Sequence, residues 1–452
     1  MITTLSRITQ RDLFWVAEFT PKVPNSRVIR HCLPQFPLNT LGGMRNILIL
    51  GGGTAGTMTA NKLRKALPGS QWSITVVDAD DAHHYQPGFI FTPFGTYQPD
   101  EVTRSRRKFL NKSIPLVYGT IDRVYPDDQR VLLLDGRELS YDMLIIATGV
   151  IPRPDQTPGM LEGEWRKSIH EFYTYEGSIA LAEKLKSWPG GKLVINIVDM
   201  PIKCPVAPLE FAFLSDAFFT DKGMRDRVNI TYVTPLPGAF TKPLAAQAFG
   251  NTLEEKGITV EPDFMLERVD PDAKMLVSYD EREVPFDLLV SIPLNMGAEF
   301  VARSGLGNEL NLVPVDKFTQ ISKAHDTIFA LGDANDIPAS KAGSVAHFEV
   351  DIFIDNFLLH IAGKEMTHKF DGHANCFIET GHRKAMLIDF NYDVEPLTGK
   401  YPYRIGPLSL LKQTRMNHIG KLAFRWTYWN ILMPGHSMPV PVLMSMSGKV
   451  KE

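Results

Sequence analysis

The sequence predicts an α/β fold: two βαβ domains in tandem, followed by a helical C-terminal region. Three observations predict it. A glycine-rich loop joins an apolar strand to a helix at residues 46–67, with an acid closing the next strand. A pattern of about twenty positions recurs at an offset of 145 residues. A stretch of interleaved basic and aromatic residues fills positions 408–433.

The chain has 452 residues, enough for two or three domains with cores of their own. Its formal net charge of −3 gives no reason to propose nucleic acid as a partner. Three cysteines, Cys32, Cys204 and Cys376, are too few for a secreted disulfide framework. No run of 18 apolar residues reads as a membrane span. No metal-ligand spacing is found. Residues 1–43 are expected to be an extension outside the fold, with Met44 resembling a natural start. Their five basic and two acidic residues also fit a transit segment.

The first domain opens with the strand Asn46-Ile-Leu-Ile-Leu and the loop Gly51-Gly52-Gly53-Thr54-Ala55-Gly56. Glycines here let the backbone approach a pyrophosphate, and the N-terminus of the following helix faces its charge. The next strand ends in Asp78, placed to hold a ribose hydroxyl. Together these features predict dinucleotide binding. Two later segments, Tyr141 to the Ala147-Thr148-Gly149 turn and Thr327 to Gly332-Asp333, are apolar strands with small or acidic ends. The three marks in this order resemble those of the FAD-binding pyridine-nucleotide-disulfide oxidoreductase superfamily. That resemblance implies FAD, with two Rossmann-like domains of the tandem FAD/NAD(P)-binding type. It places Asp333 at the ribityl chain; Lys341, after the Gly-Asp turn, is a candidate at the flavin rim, the alternative being a solvated lysine. The FAD-binding domain is expected at 44–150 and 300–360.

The repeat pairs Arg123-Val-Tyr-Pro-Asp-Asp with Arg268-Val-Asp-Pro-Asp-Ala, and Tyr141-Asp142 with Phe286-Asp287. It predicts that residues 151–299 form a second Rossmann-like domain. Where that domain should carry its own glycine loop, the sequence reads Val198-Asp-Met-Pro-Ile-Lys-Cys204-Pro. Its next strand ends in Thr234-Pro235, with no acid. An NADH site is therefore not expected there. Cys204 precedes a helix expected to begin at Pro205. As N-cap it would gain thiolate character from the helix end and from Lys203, the alternative being a small buried strand-end cysteine. The C-x4-C pair of disulfide reductases is absent from the first helix. Any redox pair must then join Cys204 to Cys376 across 172 positions.

At these cysteines the chain resembles sulfide:quinone oxidoreductases. The matching residues are Gly51–Gly56, His84-Tyr-Gln-Pro-Gly-Phe89, Lys203-Cys-Pro-Val-Ala-Pro-Leu-Glu210, Gly332-Asp333 and the Cys376 segment. The family's third cysteine is missing here, so the resemblance is to a two-cysteine type. It implies that hydrosulfide attacks a bridged Cys204–Cys376 form, leaving a persulfide and a thiolate. It further implies that the thiolate, with Cys376 preferred, gives two electrons to FAD. Glu210 would handle protons, the alternative being a solvent-facing carboxylate. Phe377 and Tyr401 are candidates for a quinone pocket.

The region 361–452 is expected to carry Cys376 and an amphipathic helix lying in the bilayer interface. Its basic residues would be Lys412, Arg415, Lys421 and Arg425, with Trp426, Tyr428 and Trp429 as interfacial aromatics. An alternative is a helix covering the core or a dimer contact. The expected partners are thus sulfide, a membrane quinone and the bilayer surface, with a homo-oligomer left open. The expected location is peripheral, on the cytoplasmic face, or on the mitochondrial inner membrane if residues 1–43 are a transit segment. Two other functions stay open: a flavocytochrome c sulfide dehydrogenase-like subunit, and a flavin-containing redox or sulfur sensor without turnover.

Overall fold

A computed structural model of the chain describes residues 43–450. Cys32 and the rest of the expected extension lie outside the described residues. The chain enters through β1 (Arg45–Leu50), turns through the glycine loop into α1 (Thr54–Ala66), and returns as β2 (Trp72–Asp78). β3 (Leu116–Tyr118) and β4 (Met143–Ile146) extend this parallel sheet on either side. β1 and β4 are buried along most of their length, which is why both read as continuous apolar runs and not as alternating ones.

The second parallel sheet is built from β5 (Ile169–His170), α2 (Tyr175–Ser187), β6 (Gly191–Ile197), α3 (Ala207–Asp221), β7 (Val228–Val233), α4 (Pro243–Glu255), β8 (Thr259–Glu261) and β9 (Leu288–Ile292). Its strand order is β5-β9-β6-β7-β8. The chain then returns to the first sheet as β10 (Ile328–Ala330), giving the order β10-β4-β1-β2-β3. Each sheet has an antiparallel three-stranded meander inserted before one of its strands. The meander strands start at 121, 130 and 138 in the first half and at 266, 275 and 283 in the second. Every one of these pairs is displaced by 145 residues, the same offset as the sequence repeat.

Helix α5 (Gly343–Ile361) packs against α1 and leads to a C-terminal sheet. That sheet comprises β11 (Ala374–Gly381), β12 (Lys384–Phe390), β13 (Gly399–Tyr401) and β14 (Leu408–Leu410), in the order β11-β12-β14-β13. β11 also packs on α3, and α6 (Arg415–Thr427) crosses β11 and β12. The second half of the molecule and the C-terminal sheet therefore meet along α3.

The tail differs from expectation. Residues 408–433 are a strand, a loop, α6 and a π-helical turn over Tyr428–Leu432. Tyr428 and Trp429 are buried against His83, Tyr85 and Phe109, not presented to a bilayer. Lys421 is largely withdrawn from solvent in an ion pair with Glu210, and Arg425 pairs with Glu101. An amphipathic aromatic stretch suits a protein groove as well as a lipid interface, and here the groove takes it. The exposed apolar residues of α6 are Met416, Ile419 and Trp426. Among the described residues no helix is long and apolar enough to cross a membrane.

Candidate active site

The glycine loop has the geometry of a dinucleotide cradle. Gly51 adopts φ +93°, and a Cβ there would lie 2.5 Å from the Ala147 carbonyl oxygen. A Cβ on Gly56 would sit 1.8 Å from the Gly51 oxygen, so α1 can start this close to the loop only with glycine there. Gly53, Gly149 and Gly343 instead face open space. Ala55 lies against Gly332, whose φ is +64°. Thr148 Oγ1 is buried with no protein partner. A backbone cradle, open faces and an orphan hydroxyl suit a bound dinucleotide. The residues present fit FAD.

Asp78 closes β2 as expected and is already engaged. Its Oδ2 accepts the Gly52 N–H at 2.6 Å and lies 3.2 Å from Arg106 Nη2. Burial raises its pKa, while Arg106 and the Gly52 and Ala79 amides lower it. Arg106 also donates to the Gly52 carbonyl at 2.9 Å. Sequence reasoning missed this arginine because it comes from a short turn 54 residues beyond the loop. At the other end, Asp333 sits in a turn whose Gly332 N–H is held by Glu349 at 2.7 Å. Lys341 is neither solvated nor free: its ammonium donates to the Asp333 and Asn335 carbonyls at 3.1 and 2.7 Å.

The Cys204 environment corrects the sequence reading. Helix α3 begins at Ala207 with Val206 as N-cap, so Cys204 lies two residues ahead of the cap. It sits in the left-handed region, φ +50°, which L-residues adopt at a cost. Three bonds hold it there: its N–H donates to the Lys341 carbonyl, and its carbonyl accepts from Tyr173 Oη at 3.1 Å and the Ala207 N–H at 2.9 Å. The loop is thereby tied to the Gly332–Lys341 segment. Lys203 points elsewhere, donating to Gln86 Oε1 at 3.0 Å.

Cys204 and Cys376 are free thiols with shared neighbours. Burial pushes the Cys204 thiol up to about 12, and Cys376 and Glu210 push the same way. Burial lifts Cys376 to about 11, opposed chiefly by Lys421. The cation that pulls both thiols down is Lys421, with the N–H of Ala207 at the start of α3 adding a smaller pull on Cys204.

Glu210 is 1 % exposed, not a solvent-facing carboxylate. Lys421 Nζ lies 2.8 Å from Oε1 and 3.1 Å from Oε2, and the Glu379 N–H donates to Oε1 at 3.0 Å. Burial raises the Glu210 pKa, opposed chiefly by Lys421. Burial works against the Lys421 ammonium too, but Glu210 and Cys204 override it and raise its pKa. Lys421 also donates to the Phe377 carbonyl at 2.9 Å. Glu379 in turn accepts from His418 at 2.9 Å. The arrangement is a charged buried pair wedged beside two sulfurs, able to hold a thiolate or to take up a proton. Lys421 was visible in the sequence only as one basic residue of the tail.

The remaining two candidates share one apolar cluster. Tyr401 packs with Leu387 and Leu410, and Phe377 lies against the same group. Gly420 of α6 approaches Phe377 so closely that a Cβ would lie 2.9 Å from its ring. The second nucleotide position is also as the sequence reads: β6 ends at Ile197 and runs through a loop without glycine to Cys204. Among the described residues no group of three or more His, Cys, Asp or Glu could hold a metal. A cavity of about 1010 Å³ lies between Lys192, Arg225, Lys256 and His382, and neither thiol lines it.

Residues 45–194 match the family model for pyridine nucleotide-disulphide oxidoreductases. The mitochondrial sulfide:quinone oxidoreductase of Dictyostelium discoideum is 24% identical over 426 residues, covering 93% of each chain. That of Mus musculus is 25% identical, covering 86% of each. Among solved structures, the sulfide:quinone oxidoreductase of Aquifex aeolicus superposes with a TM-score of 0.73 at 20% identity, over 87% of this chain and 92% of that one. The cradle, the absence of a second glycine loop and these likenesses over most of the chain agree: the chain is an FAD-dependent oxidoreductase, similar over most of its length to sulfide:quinone oxidoreductases.

Proposed function

We propose that the protein oxidises sulfide to sulfane sulfur or polysulfide and passes the two electrons to a membrane quinone, using Cys204 and Cys376. The observation that carries this reading is the pair of free thiols sharing Lys421 and Glu210, next to a cradle that fits FAD and without a glycine loop for NADH.

Hydrosulfide attacks one sulfur of a bridged Cys204–Cys376 pair; the S–S bond breaks, one cysteine keeps the new sulfur as a persulfide and the other leaves as a thiolate. Lys421 stabilises that thiolate, since its ammonium lowers the pKa of both cysteines. Glu210, held by Lys421, takes up or returns the proton of the incoming hydrosulfide. FAD, when bound, supplies the acceptor for the electron pair and the link to the quinone. The sum is HS⁻ + quinone + H⁺ giving one sulfane sulfur and quinol, with charge and electrons balanced. Phe377 and Tyr401, in one apolar cluster behind Cys376, suit the quinone ring. Exposed Met416, Ile419 and Trp426 on α6, with Ile405 beside β14, suit docking on a bilayer where the quinone resides.

The test is anaerobic addition of sulfide to the FAD-loaded protein, followed by a quinone. The flavin absorbance should bleach with sulfide and return with quinone. Bleaching by NADH but not by sulfide would overturn the reading. Bleaching by sulfide with no quinone turnover would overturn the quinone as acceptor and favour the flavocytochrome c-like or sensor reading.

A further inference from the structure

The C-terminal segment reaches past the thiols to the nucleotide loop itself. After Lys421, two helical turns bring Tyr428 to the same side of the chain, seven positions on. There the helix widens into the π turn, and consecutive residues Tyr428 and Trp429 both face inward. The Tyr428 hydroxyl lies 2.7 Å from Thr54 Oγ1 and 2.7 Å from His83 Nε2. Thr54 is the first residue of α1, directly after the glycine loop. His83 is neutral, since burial and Arg106 hold its pKa down to about 3. Further along, Asn61 Nδ2 donates to the Met433 carbonyl at 2.7 Å, and Lys65 donates to the Pro434 and Gly435 carbonyls at 2.9 Å. Gly435 is pressed on α1, a Cβ there falling 3.0 Å from Asn61 Cβ. Segment 428–435 therefore follows α1 from its first turn to its last.

We propose that this segment is part of the FAD-binding apparatus: Tyr428 positions Thr54 at the pyrophosphate end of the loop, so that FAD binding and docking of residues 428–435 stabilise one another. The inference rests on FAD being the cofactor and adds a coupling between two places in the molecule. Because the same helix carries Lys421, docking at the loop also seats the ammonium at the thiols. Coupling of this kind is reciprocal. FAD must protect the segment by the factor by which the segment strengthens FAD binding.

The experiment compares FAD-loaded and FAD-stripped protein. Trypsin cleavage at Lys412 and Arg415, both exposed, is followed by mass spectrometry together with FAD affinity by fluorescence. Stripping FAD from the unaltered protein should speed cleavage several-fold. Tyr428→Phe should weaken FAD binding by about three- to tenfold, because buried His83 and partly buried Thr54 lose their hydrogen bond. It should also shrink the protection that FAD confers. Asn430→Ala, exposed on the same turn, should change neither. Equal cleavage with and without FAD in the unaltered protein would overturn the coupling even if Tyr428→Phe failed to fold. Unchanged affinity and protection in a folded Tyr428→Phe would overturn it too. Failure of the unaltered protein to bind FAD at all would instead overturn the cofactor reading.

Discussion

Lys421 enters the cysteine site from a helix 211 positions beyond Glu210, and this pair sets what the two thiols can do. Even with Lys421 pulling them down, the thiols stand at about 12 and about 11, so both rest protonated near neutral pH and the ammonium lessens the cost of forming a thiolate. Lys421→Met should push both thiols higher still and slow their alkylation by iodoacetamide at any pH below about 11. It should also cost about 3–5 kcal/mol of stability, because Glu210 is left buried and unpaired; chemical denaturation measures the second effect. Replacing Cys204 or Cys376 with Ser should abolish flavin reduction by sulfide while leaving FAD binding intact. Full reduction in either variant would rule out the two-cysteine relay.

Among the elements, α6 takes the alternative the sequence left open, a helix covering the core, and its small residue is the reason it packs where it does. Gly420 lets the helix lie on the Phe377 ring. Gly420→Ala should therefore lift α6 from β11, slowing reoxidation of the flavin by quinone several-fold with little effect on its reduction by sulfide. Stopped-flow measurement of the two half-reactions separates them. The outward face gives a second expectation: Ile419 and Trp426 are about half exposed, and replacing both with Ser should weaken binding to liposomes. Unchanged partitioning in sedimentation would place the lipid contact elsewhere.

For the whole molecule, buried ionisable groups set the pH range of stability. Burial lowers the pKa of His83 to about 3 and those of His170 and His347 to about 4, from 6.5. As pH falls below 6.5 the unfolded chain takes up protons that the native state keeps off, so stability drops between about 6.5 and 4. Glu349 acts in the opposite sense. Burial raises its pKa to about 8 from 4.5, so the native state holds a proton that the unfolded chain has lost, and stability declines as pH rises through that interval. Urea midpoints measured against pH should show both limbs. His347→Asn should flatten the acid limb, and Glu349→Gln should flatten the decline toward pH 8.

The glycine loop, Asp78, the Gly332-Asp333 turn and the 145-residue repeat were legible in the sequence because each depends on local backbone geometry or on self-similarity. Close approach at Gly51 and Gly56 admits no side chain, so the pattern declares itself. The loss of the second glycine loop was legible for the same reason. Cys204 was legible as a residue of interest but not in its electrostatics, because a thiol's pKa follows burial and charges brought from afar. Lys421, Arg106, Glu379 and Tyr428 each serve a site 54 to 374 positions away, through contacts that no spacing rule records. The aromatic tail shows the division most plainly. Sequence determined that residues 408–433 would hide one face. Only the tertiary structure decided that Tyr428 and Trp429 would hide it against α1 and His83, since an apolar stripe is satisfied by any surface that excludes water.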